Sequence, residues 1–233
     1  MRPISFWHRL LDLISPRLCV VCGSRLSVTE EVICNICNLH LPRTNNAKDA
    51  YENQMAKMFW GQLPIEKAAA LFYYESHAET ANIIYQLKYK NHPEIGGVMG
   101  RMMAKELQGY GFFEGIDGIV PVPLTKSRLR ERGYNQSDEI AKGISEITGL
   151  PIYNDFVKRI AFKASQTKKN RWERKENVEH VFVLNRQVPS HIHHLLVVDD
   201  VVTTGATIIA CSRQLVGENE IKISVLSLGL TKR

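Results

Sequence analysis

The stretch Leu195-Leu196-Val197-Val198-Asp199-Asp200-Val201-Val202-Thr203-Thr204-Gly205-Ala206-Thr207 constrains the fold of this chain more than any other. Four apolar residues after the polar run His191–His194 read as a buried strand of a parallel sheet. Two carboxylates follow at its C-terminal end, where open α/β sheets place their ligands. The hydroxyl-rich turn Thr203–Thr207 then leads into an apolar-periodic helix through Ile208, Ile209, Cys211 and Leu215. Such a turn offers free backbone N–H groups and the positive end of a helix dipole, which suits a phosphate. Gly205 permits close backbone approach. The adjacent carboxylates suit two vicinal hydroxyls, so the stretch describes a pocket for a ribose 5-phosphate. An ordinary capped helix start does not explain two aspartates together. A receiver-domain acid pair is excluded, because too little chain follows Asp200 for the further βα units such a domain needs.

A chain of 233 residues holds one good-sized α/β domain and a small accessory module. We divide it at 62: residues 1–62 as an N-terminal helix, a cysteine module and a linker, and 63–233 as the α/β domain. The net charge of +6 suits an anionic ligand and equally an ordinary soluble protein. There is no apolar run of membrane-spanning length. His8, Arg9 and Asp12 interrupt any signal-peptide core, and Phe6, Trp7, Leu10, Leu11 and Ile14 form an amphipathic stripe suited to packing on the protein itself. The expected location is therefore cytoplasmic, where clustered cysteines bind metal more often than they form disulfides.

Cys19-x-x-Cys22 and Cys34-x-x-Cys37 make a paired CxxC array. Four thiolates favour a closed, tetrahedral structural Zn²⁺ site, with a redox pair or iron–sulfur cluster as alternatives. The spacer 23–33 is shorter than usual for a zinc ribbon. So small a segment lacks a core, and the metal is expected to supply most of its folding energy, about 10–16 kcal/mol by zinc-finger analogy. Cys211 is expected in the core.

A strand is expected over 67–74, and a helix capped by Ser76 and Glu79 carries Ile83, Ile84 and Leu87. Lys88-Tyr89-Lys90 closes it, as dipole compensation or as an anion contact. Pro93 opens a further helix. The strand 118–124 ends in Pro121-Val122-Pro123, since proline cannot donate to a sheet. A cation-rich glycine loop follows, with Arg130, Arg132, Gly133, Asn135 and Gln136, then a helix capped by Ser137. This is a second candidate anion site, suited to pyrophosphate, against the bland reading of a solvated basic loop. Residues 163–177 are polar and basic and read as a surface loop, with a cationic lid as the functional reading.

The stretch 195–207 resembles the 13-residue signature of type I phosphoribosyltransferases, which bind phosphoribosyl pyrophosphate (PRPP). The whole pattern resembles the ComF (competence protein F) family. The resemblance rests on the paired CxxC, Lys88-Tyr89, Pro121-Val122-Pro123, Arg132-Gly133-Tyr134-Asn135-Gln136, Gln166 with Arg174 and Asn177, and Asp199 to Thr207. Lys169 stands where that family usually has leucine. The resemblance implies a type I phosphoribosyltransferase fold, a Rossmann-like parallel sheet flanked by helices, with a small zinc-ribbon-like module. It implies PRPP with Mg²⁺, structural Zn²⁺, and a role in competence and DNA uptake. The implied roles are ribose or Mg²⁺ contacts for Asp199 and Asp200, phosphate contacts for Thr203, Thr204, Gly205, Ala206 and Thr207, the pyrophosphate loop for Arg130, Arg132, Gly133, Asn135 and Gln136, and a lid with Gln166, Arg174 and Asn177. No acceptor, general base or oligomeric state is readable. Two classes stay open: a pentosyltransferase, or a non-catalytic single-stranded-DNA-binding or regulatory protein on the same fold.

Overall fold

Four parallel strands form the central sheet in the order β1 (Ile65–Tyr74), β6 (Lys222–Thr231), β5 (His194–Val202), β2 (Gly118–Pro121). The computed structural model describes residues 16–160, 181–217 and 221–232. The amphipathic stripe Phe6 to Ile14 and the lid residues Gln166, Arg174 and Asn177 lie outside the described residues.

The helices are α1 (Asn35–Leu39), α2 (Gln54–Lys57), α3 (Ala81–Tyr89), α4 (Pro93–Gln108), α5 (Lys126–Arg132), α6 (Gln136–Thr148) and α7 (Ala206–Val216). A separate antiparallel pair joins β3 (Val157–Arg159) to β4 (Phe182–Leu184). The strands read as continuous apolar runs because both faces of the sheet are covered. Alternation sends Ala69, Leu71, Leu196, Val198, Leu226 and Leu228 to the face with α3, α4 and α6. Ala68, Ala70, Leu195, Val197, Ile223 and Val225 face α2, α7 and the β3–β4 pair.

This topology opens a crevice beside the two aspartates. Beyond β2 the chain runs through α6 and returns at Ile152, which bridges Ile119 on the outer side of β2. From β5 it runs through α7, on the opposite face, to β6. Adjacent strands sending their helices to opposite faces form a topological switch point, the usual ligand crevice of open α/β sheets. The β2–β5 ladder ends at Pro121 opposite Val198, one residue before Asp199.

Helices α4 and α6 pack backbone to backbone. A Cβ on Gly100 would lie 2.3 Å from the Ile140 carbonyl oxygen, and one on Gly143 2.1 Å from that of Gly97. The cysteine module joins the same side of the core, with Val21, Leu26, Val32, Ile33 and Leu41 in one apolar cluster with Met99 and Met103 of α4. Arg43 pairs with Glu106 at 2.9 Å, and Arg101 with Glu31 at 2.6 Å.

Two local expectations differ. Helix α3 begins after Thr80, and residues 76–80 form turns, so Ser76 and Glu79 do not frame its first turn. Helix α6 begins after Asn135, and Ser137 lies inside it. The Ser137 hydroxyl turns instead to Asp199.

Candidate functional site

The acid pair sits where β5 leaves its β2 neighbour. Strand alternation turns Asp199 toward the side of Leu195 and Val197, and Asp200 toward the side of Leu196 and Val198. Asp199 is partly exposed and Asp200 is buried. Asp199 Oδ1 accepts from the Asp200 backbone N–H at 2.9 Å and from Ser137 Oγ at 3.2 Å. Asp200 Oδ1 pairs with Lys88 Nζ at 2.8 Å, both side chains being largely buried. Burial, reinforced by the Asp200 carboxylate, pushes the Asp199 carboxyl up to about 7, against the opposing hydrogen bonds and Lys88. A low dielectric and a neighbouring like charge both disfavour the ionised form of Asp199.

The turn 203–205 leads directly into α7. Gly205 is the N-cap with φ of 78°, a left-handed conformation that favours glycine. A Cβ there would also meet the Phe59 ring at 2.9 Å. Thr204 Oγ1 accepts from the Ala206 N–H at 3.4 Å. The first N–H groups of α7 have no intrahelical acceptor and point out of its N-terminus. Asp199, Thr203, Thr204, Gly205, Ala206 and Thr207 therefore line one small hollow of about 30 Å³. A larger hollow of about 810 Å³ lies elsewhere, between the β4–β5 connection and the end of α7. Its charged lining residue Arg186 is paired with Asp155, so it offers no comparable polar convergence.

The cation-rich stretch after Pro123 becomes α5 and its C-cap. Thr125 caps α5 by accepting from the Arg128 N–H, and Gly133 closes it at φ of 79°. Arg130 is exposed. Arg132 Nη1 donates to Gln136 Oε1 at 2.8 Å, and its guanidinium lies 5.3 Å from the Tyr89 ring centroid. The Tyr134 hydroxyl donates to the Leu87 carbonyl. These contacts fasten the end of α3 to the basic loop. Asn135 and Gln136 are buried, and Asn135 Nδ2 donates to the Val122 carbonyl at 3.1 Å. The Asn135 side chain thus holds the loop against the strand end.

Sequence reasoning missed two direct partners of the acid pair and one cation that feels the Asp199 charge. Lys88 is legible in sequence as a helix-end cation or an anion contact, without Asp200 as its partner. Ser137 looks like a cap. Arg159, on β3, lies over the Phe182 ring at 5.1 Å. Burial, with Arg128 adding to it, lowers the proton affinity of its guanidinium, and the Asp199 charge opposes this.

The four sulfurs of Cys19, Cys22, Cys34 and Cys37 lie within 4.8 Å of one another. Cys22 and Cys34 are 3.8 Å apart, close to the S–S separation of a tetrahedral site with Zn–S of about 2.3 Å. The Cys34 N–H donates to Cys19 Sγ and the Cys37 N–H to Cys34 Sγ, each at 3.4 Å, which orients these sulfurs within the cluster. Glu30 accepts the Ser27 and Asn35 N–H groups at 2.6 Å each, bracing the loop between the two CxxC turns. The donor set fits a structural Zn²⁺. Cys211 is fully buried in α7, away from this cluster. Among the described residues no helix is long and apolar enough to cross a membrane.

No family model matches the chain. One solved structure, adenine phosphoribosyltransferase from Leishmania tarentolae, overlaps 78% of this chain and 89% of its own at 10% identity, with a TM-score of 0.36. Curated relatives are closer in sequence. The chain is 30% identical over 149 residues to the DNA utilization protein YhgH of Salmonella typhimurium, covering 63% of this chain and 65% of the relative. Competence protein F of Haemophilus influenzae is 28% identical over 149 residues, covering 60% and 64%. At 28% identity over 214 residues, covering 91% of this chain and 89% of the relative, the chain is a homologue of the DNA utilization protein YhgH of Escherichia coli.

Proposed function

We propose that this protein binds PRPP at the β5–α7 junction and acts in DNA uptake or utilization. One observation carries the first half: an acid pair, a hydroxyl-rich turn and a helix N-terminus meet at the switch point of a parallel sheet. The 5-phosphate fits the α7 N-terminus and the Thr203–Thr207 turn. The two ribose hydroxyls fit Asp199 and Asp200. The pyrophosphate then falls toward Arg132, Lys88 and the exposed cations of α5. Carboxylate oxygens also suit the Mg²⁺ that accompanies PRPP, and such an ion would neutralise charge on the diphosphate. For the second half, the support is the names of the relatives.

In the transferase reading, the bond from the anomeric carbon to the pyrophosphate oxygen breaks, and an acceptor nucleophile takes its place. The basic loop would stabilise the departing charge. A second reading has its own observation. Tyr85 and Tyr89 are exposed neighbours with centroids 5.5 Å apart, flanked by Lys90 and Arg132. Aromatic rings beside cations form the stacking platform of single-strand binders.

Calorimetric titration of the zinc-loaded protein with PRPP and Mg²⁺ tests the site. The double change Asp199→Asn with Asp200→Asn should weaken binding about tenfold or more, since a hydrogen bond to a charged group is worth about 1.5–3 kcal/mol. Unchanged affinity would remove the aspartates from the site.

A further inference from the structure

The four thiols of the cysteine module differ in their access to water. Cys19 and Cys34 are buried, Cys37 is half-buried, and Cys22 is exposed. The chain leaves the Cys22 side open: a Cβ on its neighbour Gly23 would meet nothing within 4 Å. The sulfur of Cys22 lies 3.8 Å from that of Cys34, across the two CxxC turns. An exposed sulfur from one turn therefore stands beside a buried sulfur from the other. A thiol that coordinates Zn²⁺ is deprotonated, so the loaded module presents a thiolate at Cys22. Thiolates are the form that oxidants attack, and attack follows exposure.

The module also holds more than itself. Val21, Leu26, Val32, Ile33 and Leu41 lie in one apolar cluster with Met99 and Met103 of α4. Glu31, between the two CxxC turns, pairs with Arg101 of α4 at 2.6 Å. Helix α4 packs in turn on α6, whose first turn carries Ser137 to Asp199. So small a module has little core without its metal. Loss of the ion would loosen the cover of α4.

We propose that the cysteine module is a reversible, oxidant-sensitive clamp on α4, opened by a hydroperoxide through a Cys22–Cys34 disulfide. The Cys22 thiolate attacks the peroxide and breaks its O–O bond. The sulfur keeps one oxygen as a sulfenic acid, and the other oxygen takes a proton and leaves as water or an alcohol. The Cys34 thiolate then attacks the sulfenic sulfur. The S–S bond forms, and the second oxygen leaves as water with a second proton. Two thiolates have then given two electrons to one peroxide. Cys19 and Cys37 remain, too few ligands for a closed site, and the ion is released. A dithiol reductant returns the two electrons, and added Zn²⁺ closes the module again. This inference needs no pocket ligand and stands apart from the PRPP reading.

The test uses zinc-loaded full-length protein and hydrogen peroxide. A chromogenic chelator reads zinc release, peptide mass spectrometry maps the disulfide, and thermal melts follow the fold. Wild type should lose its zinc, form the Cys22–Cys34 disulfide first, and melt lower. Dithiothreitol with added zinc should restore both metal and melting temperature. Cys22→His keeps four ligands but removes the exposed thiolate, and should slow release about tenfold or more. Cys37→His keeps four ligands and the Cys22–Cys34 pair, and should release zinc as wild type does. The proposal is overturned if wild type keeps its zinc under peroxide, or if the first disulfide joins another pair. It is equally overturned if Cys22→His releases zinc as fast as Cys37→His, or if the reductant restores neither metal nor melting temperature. Should either histidine variant fail to bind zinc, the disulfide map and its reversal in wild type decide.

Discussion

At the scale of single residues, Asp199 is held against its own chemistry. Its folded-state carboxyl is raised by burial and by Asp200 to about 7, above the ordinary aspartate value of 3.8. The folded protein therefore keeps the proton more tightly than the unfolded chain. Stability attached to this group is fully present below the ordinary aspartate range, and is lost as pH rises from there to about 7. Asp199→Asn mimics the protonated form without titrating. The variant should match wild type near pH 4 and melt higher than wild type at pH 8. A gain of about 1 kcal/mol would appear as roughly 2–4 °C in a chain of this size. Thermal melts across that range check it, and equal melting temperatures at pH 8 would mean that Asp199 carries no such strain.

At the scale of elements, the contact between α4 and α6 depends on absent side chains. Gly143→Ala would drive a methyl into the Gly97 carbonyl, with the Arg101 amide nitrogen also only 2.8 Å away. Both obstacles are backbone and cannot step aside. The expected cost is about 1–3 kcal/mol or more, read from urea unfolding. Gly97→Ala is the control. Its Cβ would meet only the tip of Arg101 at 3.7 Å, so it should be neutral or stabilising by up to about 1 kcal/mol, from helix propensity. The cysteine module gives a second element-scale expectation. Zinc content should be one ion per chain and unchanged in Cys211→Ser. Cys34→Ser should lose the metal and lower the melting temperature of the whole protein, because Val32, Ile33 and Leu41 share a core with α4.

These elements also show what the sequence could and could not say. β5 and the start of α7 were legible because one contiguous stretch carries the strand, the acids and the hydroxyl-rich turn. The cysteine cluster was legible because ligand spacing along the chain reports geometry directly. The close packing of α4 on α6 was hidden, since glycines spaced along two separate helices read as weak helix formers rather than as a contact. Lys88, Ser137 and Arg159 were hidden for a similar reason: the loops and helices that bring them to Asp199 and Asp200 join distant parts of the chain. Ser76 with Glu79 gave a false cap, because the turns over 76–80 delay the helix until Ala81.

At the scale of the molecule, two surfaces of different chemistry share one corner. The acid pair and the Thr203–Thr207 turn open at the crevice between β2 and β5, with Lys88 reaching into it from α3. The same short helix turns Tyr85 and Tyr89 outward to solvent. Arg132 belongs to both, bonded to Gln136 beside the crevice and lying over Tyr89 outside it. A pocket ligand and a nucleic-acid strand can therefore be separated by mutation. Tyr85→Ala with Tyr89→Ala should leave PRPP affinity within about threefold, because neither ring lines the turn or the acid pair. It should weaken binding of a short single-stranded DNA by about 1–3 kcal/mol per stacked base lost. Asp199→Asn with Asp200→Asn should weaken PRPP and leave DNA binding unchanged or slightly stronger, since two carboxylates repel a phosphate backbone. Arg132→Ala should affect both, and should reduce the log–log salt slope of DNA binding by about 0.7 if one phosphate contact goes with it. Calorimetry with PRPP and fluorescence anisotropy with labelled DNA at several salt concentrations read the four proteins side by side. Loss of DNA binding in the tyrosine variant with PRPP intact would place the strand on the outer face of α3. Intact DNA binding in that variant would exclude the platform and leave the pocket as the function of this corner.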